Sequence, residues 1–268
     1  MMIFGIDIAP SVIAVCSFMS DPINPYMPPV SEIQRLPQNP LQLWAILSQA
    51  WKIFTERLWV VAAAVMIIWI PCELLSSYMD NFVFAEDDFR KSFKFEQFLD
   101  NFFGIISTAG VIFIALHFRS GFSVGFGQAL GTGLSSWPRM WWTRFLTNVV
   151  LILSFILLLV PFIYLYPRLC LVESVVVNEQ ISGVAAMKRS FELTRGRYWL
   201  FCRLALALSL LLGIPSIILV ILPEFIPMID HWLVDAAIYV VCDVMAAYGT
   251  ISLYCAYEAS TLKQDATP

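Results

Sequence analysis

Charge is what this 268-residue sequence has least of. Only 13% of its residues are charged, against roughly 25% in a soluble domain, while 59% are hydrophobic. A chain of this length could bury a large core, but it would still need a polar surface to dissolve. Sixteen basic and twenty acidic residues, gathered in short clusters, do not provide one. A basic surplus is missing too. The net charge of −4 and a pI near 5.2 argue against a nucleic-acid partner, which would need a basic face. Histidine is nearly absent, and His117 and His231 are too few and too separated for a metal cluster. No CxxC pair occurs among Cys16, Cys72, Cys170, Cys202, Cys242 and Cys255. All but Cys16 lie in apolar stretches, where a thiol behaves as a small hydrophobe, so neither a disulfide nor a metal site is expected. Gly125, Gly127, Gly131 and Gly133 are followed by no Lys-Ser/Thr, which excludes a phosphate loop. They are expected to let helices approach closely. No catalytic constellation stands out, and no cofactor is implied.

What is present is a set of long apolar runs. A helix needs about 20 apolar residues to cross roughly 30 Å of hydrocarbon. Clear candidates are 58–78, 101–118, 198–221 and 236–257. The stretch 140–178 is too long for one crossing, about 58 Å at 1.5 Å per residue. Pro161 interrupts the helical ladder near its middle, so two spans are expected there, 140–160 and 162–178. The fold class is therefore all-α, a polytopic bundle of six transmembrane helices with interfacial amphipathic helices.

The basic residues set an orientation. Lys and Arg near span ends favour the cytoplasm. Arg35, Lys52 and Arg57 precede the first span, Arg119, Arg139 and Arg144 lie between the second and third, and Lys188, Arg189, Arg195, Arg197 and Arg203 follow the fourth. The loops 79–100 and 222–235 are rich in Asp and Glu and are expected outside. Both termini then lie in the cytoplasm. Trp44, Trp51, Trp59, Trp137, Trp141, Trp142 and Trp199 gather near the cytoplasmic ends, as an aromatic belt does. A cassette of amphipathic helix, aromatic anchor and apolar run closing on proline recurs at Leu43–Pro71, Gly127–Pro161 and Gly183–Pro215. Three such copies would generate six spans by themselves.

Residues 1–39 read as a Pro-rich disordered tail, residues 40–258 as the membrane domain and 259–268 as a short C-terminal tail. The stretch 1–18 lacks a basic n-region, and Asp7 and Pro10 interrupt its apolar run, so it does not fit a signal peptide. A translation start at Met19 is the expectation.

Ionisable residues within spans are costly and mark candidate functional positions. Five stand out: Glu73, Arg168, Glu173, Arg203 and Asp243. At 1.5 Å per residue, Arg168, Asp243 and Glu73 are expected about 9, 10 and 8 Å below the outer surface, and Glu173 and Arg203 about 8 Å from the inner one. Opposite signs at matched depth predict Arg168 paired with Asp243 and Glu73, and Glu173 paired with Arg203. Such pairs would either hold the bundle together or line a polar track for a proton, ion or lipid headgroup. Lys188, Arg189, Arg195 and Arg197 on the AMKRSFELTRGRYW helix either fix topology or form a surface for anionic lipid headgroups, at about 1 kcal/mol each. The bilayer is the partner these residues imply.

The run PRLCLVESVVVNEQISGVAAMKRSFELTRGRYW at 167–199, with Arg168, Glu173, Ala185, Ser190, Leu193, Thr194 and Gly196, resembles the signature of a bacterial membrane-protein family. That family includes the membrane domain fused to some glycerophosphodiester phosphodiesterases, together with stand-alone members of unknown function. The opening LSQAWKIFTERLW and the segment NPYMPP resemble parts of the same family. The resemblance covers residues 40–258 and implies a protein of the bacterial cytoplasmic membrane. Only residues 259–268 follow the last span here, so phosphodiesterase activity is not expected. The expected function is non-enzymatic, in envelope or lipid homeostasis or as a membrane scaffold. A small transporter or lipid-handling channel is the alternative.

Overall fold

A computed structural model of the chain describes residues 42–84, 89–119, 125–157, 159–221 and 232–265. The described residues form helices and short turns only. In chain order the helices are α1 (Leu43–Glu56), α2 (Leu58–Phe82), α3 (Phe89–Leu99), α4 (Ile105–Arg119), α5 (Phe126–Leu157), α6 (Leu159–Leu169), α7 (Val172–Glu179), α8 (Val184–Thr194), α9 (Tyr198–Ile221) and α10 (Trp232–Asp265). A π-helical turn, Asp100–Gly104, joins α3 to α4. Six helical stretches are long and apolar enough to span a membrane: Leu58–Phe82, Lys91–Phe118, Phe126–Leu157, Val160–Glu179, Tyr198–Ile221 and Trp232–Leu262. The chain is an all-α, multi-pass membrane bundle.

The amphipathic helices follow from side-chain spacing. In α1, Ile46, Leu47, Ala50 and Ile53 are buried at intervals that form one stripe, while Trp44 and Trp51 point outward. The buried stripe packs on α10, where the Tyr248 hydroxyl donates to the Leu47 carbonyl at 3.1 Å. In α8 the buried residues are Ala186, Ser190, Leu193 and Thr194. Gly183 at φ 62° and Gly196 at φ 76° bracket this helix in the left-handed region that glycine adopts at low cost.

The helix packing is fixed by a few specific contacts. Ser77 near the end of α2 donates to the Trp232 carbonyl at the start of α10 at 2.7 Å, so the two run antiparallel. Between α4 and α5, Gly110 faces Ala129, Gly133 faces Ile106, and the Trp137 indole donates to the Phe102 carbonyl at 2.7 Å. A π-turn leaves its carbonyls poorly matched to the normal ladder, and Trp137 accepts that opportunity. A Cβ at Gly133 would sit 2.5 Å from the Ile106 carbonyl oxygen, so this contact needs glycine. Gly125, Gly127 and Gly131 face open space instead, so close approach applies to Gly133 alone of that group.

Two expectations are corrected. The second amphipathic segment, 127–139, is not a separate interfacial helix. It forms the first turns of α5, continuous through Pro138, so the three-fold cassette holds for the first and third copies only. The split within 140–178 is real, but α5 ends at Leu157, and Pro161 lies in the first turn of α6, where its missing N–H has no helical partner to lose. A second break follows at Cys170–Leu171, between α6 and α7. The span 160–179 is therefore a discontinuous helix. Charges suit that break. Arg168 sits in the last turn of α6 and Glu173 in the first turn of α7, each matching the dipole of its helix end. The N-terminal tail, the Met19 start, Glu86–Asp88, Glu224, Asp230 and His231 lie outside the described residues.

Candidate functional site: a polar cavity at a broken membrane helix

The break between α6 and α7 opens onto a cavity of about 160 Å³. Leu169, Cys170, Val172 and Glu173 line it from the broken helix, and Met140, Thr143, Arg144, Thr147 and Asn148 from α5. That volume holds about five waters at roughly 30 Å³ each.

Arg144 is its centre. It lies well inside α5, about 27 Å along the helix from Phe126 at 1.5 Å per residue, and only 18% of its side chain is exposed. Its Nε donates to Glu173 Oε1 at 2.8 Å, and its Nη2 lies 2.6 Å from the same oxygen. On the other side Nη1 donates to the Asp100 carbonyl at 3.3 Å and lies 3.7 Å from Asp100 Oδ1. One guanidinium thus ties the α6–α7 break to the π-turn before α4. Asn148 Nδ2 donates to Asn101 Oδ1 at 3.3 Å and adds a second tie to that turn. The Thr143 hydroxyl accepts the Gly183 N–H and donates to the Arg139 carbonyl, both at 2.7 Å. The Arg139 guanidinium donates to the Gln180 carbonyl at 3.2 Å. These bonds anchor the α7–α8 link against α5.

The predicted opposite-sign pairs are arranged differently. Glu173 pairs with Arg144, and Arg203 lies on the exposed face of α9. The reason is register. Because α5 starts at Phe126, Arg144 reaches the interior instead of marking a cytoplasmic end. Arg168 does not meet Asp243 or Glu73. Its guanidinium stacks over Tyr164 and Phe191 at 4.5 and 5.6 Å, its Nε is buried without a hydrogen bond, and its carbonyl accepts from Ser190 at 2.6 Å. Arg168 therefore sits at the level of α8, so the expected separation of Arg168 (outer half) from Ser190 (cytoplasmic surface) does not hold.

Glu73 and Asp243 do come together, but with their own sign. Glu73 is 7% exposed, and it lies within electrostatic reach of Glu96, Asp80 and Asp243. Oδ2 of Asp243 and Oδ1 of Asp80 are buried with no hydrogen-bond donor. Among the described residues no group of three His, Cys, Asp or Glu side chains is placed to hold a metal ion.

The expected lipid surface on the third basic segment divides. Lys188 and Arg195 are exposed. Arg189 turns inward onto Glu179 at 3.0 Å and Gln264 Oε1 at 3.0 Å, and Glu179 also accepts the Tyr257 hydroxyl at 3.1 Å. Burial alone would lower the pKa of Arg189, but the hydrogen bond and charge of Glu179 outweigh it and hold the guanidinium more firmly protonated. Arg197 is half-buried, with Nη1 unbonded, and burial lowers its pKa. Of the seven tryptophans assigned to an aromatic belt, Trp137 faces inward onto Phe102, whereas Trp44, Trp59 and Trp199 are among the most exposed side chains.

Sequence reasoning missed Arg144, Asp100, Thr143 and Asn148. A lone arginine beside a span reads as a topology signal, and nothing in its neighbours reveals a partner 29 residues away. Pro167, immediately before Arg168 in the broken helix, was the one local hint. No protein-family model matches the chain, and comparison with curated proteins and with solved structures gives no match either.

Proposed function

We propose that this chain is a non-enzymatic protein of the bacterial cytoplasmic membrane, with both termini in the cytoplasm, that serves lipid or envelope homeostasis by holding a lipid headgroup in the Arg144 cavity. One observation carries the reading: a polar, ion-paired cavity lies at the break of a discontinuous helix of membrane-spanning length. Broken membrane helices place polar backbone and charge where a cavity can use them. The resemblance of 167–199 to the membrane domain of glycerophosphodiester phosphodiesterases supports the same direction. The bonding of the candidate nucleophiles supports a non-enzymatic role. The Thr143 and Ser190 hydroxyls donate to backbone carbonyls at 2.7 and 2.6 Å, and the Cys170 thiol to the Pro167 carbonyl at 3.0 Å, which engages the protons a general base would have to take.

Native mass spectrometry of the protein released from bilayers tests this reading. The wild type is expected to retain lipid, and Arg144→Ala to lose most of it. Equal retention by both would leave the scaffold reading in its place. The orientation is tested separately in intact cells lacking other reactive cysteines. An impermeant thiol reagent should reach Phe82→Cys and not Lys188→Cys, and the reverse pattern would invert the topology.

A further inference from the structure

We propose that the Arg144 cavity selects a headgroup bearing a primary ammonium, an inference that rests on the lipid-binding reading above. The charge balance points there. Asp100 and Glu173 face a single guanidinium, so the cluster carries a net negative charge. Both Arg144 contacts to Glu173 end on Oε1. Oε2 takes no donor from the described residues, and 36% of the Glu173 side chain remains open. Thr147 lines the same cavity with a buried hydroxyl that has no partner. Asn148 gives its amide N–H to Asn101 and keeps its own carbonyl available. The cavity thus offers three acceptors in a polar wall, set against an apolar wall of Met140, Leu169, Val172 and Val176.

An ammonium has three donors and no acceptor, which matches that set. A phosphate would meet the free oxygen of Glu173 as a like charge. A trimethylated ammonium carries the right sign but has no N–H, and would leave the acceptors unpaired. The route of entry also fits an amphiphile. Asn148 is exposed, and it continues onto the outward face of α5 that carries Phe145, Val149 and Ile152, so the polar wall meets the apolar surface at which acyl chains lie.

The test uses the full-length protein in nanodiscs of equal parts phosphatidylethanolamine, phosphatidylcholine and phosphatidylglycerol with identical acyl chains, followed by native mass spectrometry. The ethanolamine lipid should be retained about tenfold over the choline lipid, because a site built to hydrogen-bond N–H groups discriminates against the analogue without them. Glu173→Gln should abolish that preference. Since it also loosens Arg144, Thr147→Val serves as the second variant, and it should reduce the preference roughly threefold to tenfold with the ion pair intact. Retention of all three lipids alike would overturn the ammonium inference and leave lipid binding standing. Retention of none would remove both. Displacement of bound lipid by millimolar free ethanolamine, but not by free choline, would keep the ammonium selectivity and transfer it to a soluble ligand.

Discussion

Two groups of charge lie inside this bundle, and they are built on opposite rules. Around Arg144 each carboxylate has a cation beside it and the backbone is bonded into the same network. Around Glu73 and Asp243 acid faces acid, with carboxylate oxygens buried and without donors. The first arrangement joins three separate segments, the π-turn, α5 and α7. The second centres on α2 and α10, with Glu96 of α3 beside them, and α2 and α10 are already held together by their apolar faces and by Ser77 on Trp232. Of these two groups, the paired one sits where the helix is broken and needs a tie, and the acid cluster sits where packing alone is sufficient. Burial divides along similar lines. The apolar window of Lys91–Phe118 is 61% buried within the protein, whereas that of α9 is 11% buried and faces outward.

Substitutions can break or sharpen this contrast. The largest effect is expected from Arg144→Met, which strands two carboxylates beside the broken helix. Removing one partner of a fully buried ion pair costs about 3–5 kcal/mol. Glu173 and Asp100 are partly open, so roughly 2–3 kcal/mol is expected in thermal unfolding of the nanodisc-reconstituted protein. A loss near zero would mean that the triad ties nothing. Combining Arg144→Met with Glu173→Met should recover about half of that loss, because only Asp100 is then left without its cation. Strict additivity of the two single effects would deny their coupling. Thr143→Val comes next, at about 1–2 kcal/mol, because it strands the Gly183 N–H and frees the α7–α8 link. Faster backbone hydrogen exchange should appear at Gly183, and protection unchanged there would remove Thr143 as an anchor. The smallest effect, and the one of opposite sign, belongs to the acid cluster. Glu73→Gln with Asp243→Asn keeps shape and removes like-charge repulsion, so stability at pH 7 should hold or rise by up to about 1 kcal/mol. A loss of the size expected for Arg144→Met would show that the acids have a cationic partner and that the two regions are alike after all.

How much of this was readable in advance differs by level. The six apolar runs were legible because hydrocarbon thickness sets a minimum length that sequence must meet. The amphipathic α1 and α8 were legible from residues such as Ile46, Ala50 and Ile53, whose spacing follows the helical period. The candidate site was only half legible. Glu173 was found because a carboxylate in an apolar run is conspicuous. Arg144 was not, since an arginine after Trp141 and Trp142 looks like an ordinary cytoplasmic flank. Arg168 does not sit at the depth expected of a straight helix crossing a slab. The break at Cys170–Leu171 brings Arg168 to Ser190 of α8 instead.

The sequence by itself determined that this is a helical membrane protein with six spans, because those properties depend on composition and run length along one chain. It also determined which helix ends are basic, and hence the orientation expected of the bundle. Tertiary structure alone decided which charges meet. Pairing depends on where each long helix starts and how neighbours slide past one another, and here that register is set by Gly133 against Ile106 and Trp137 against Phe102. One turn of displacement along α5 would move Arg144 by about 5.4 Å, enough to separate it from Glu173 and undo the tie between α5 and the broken helix.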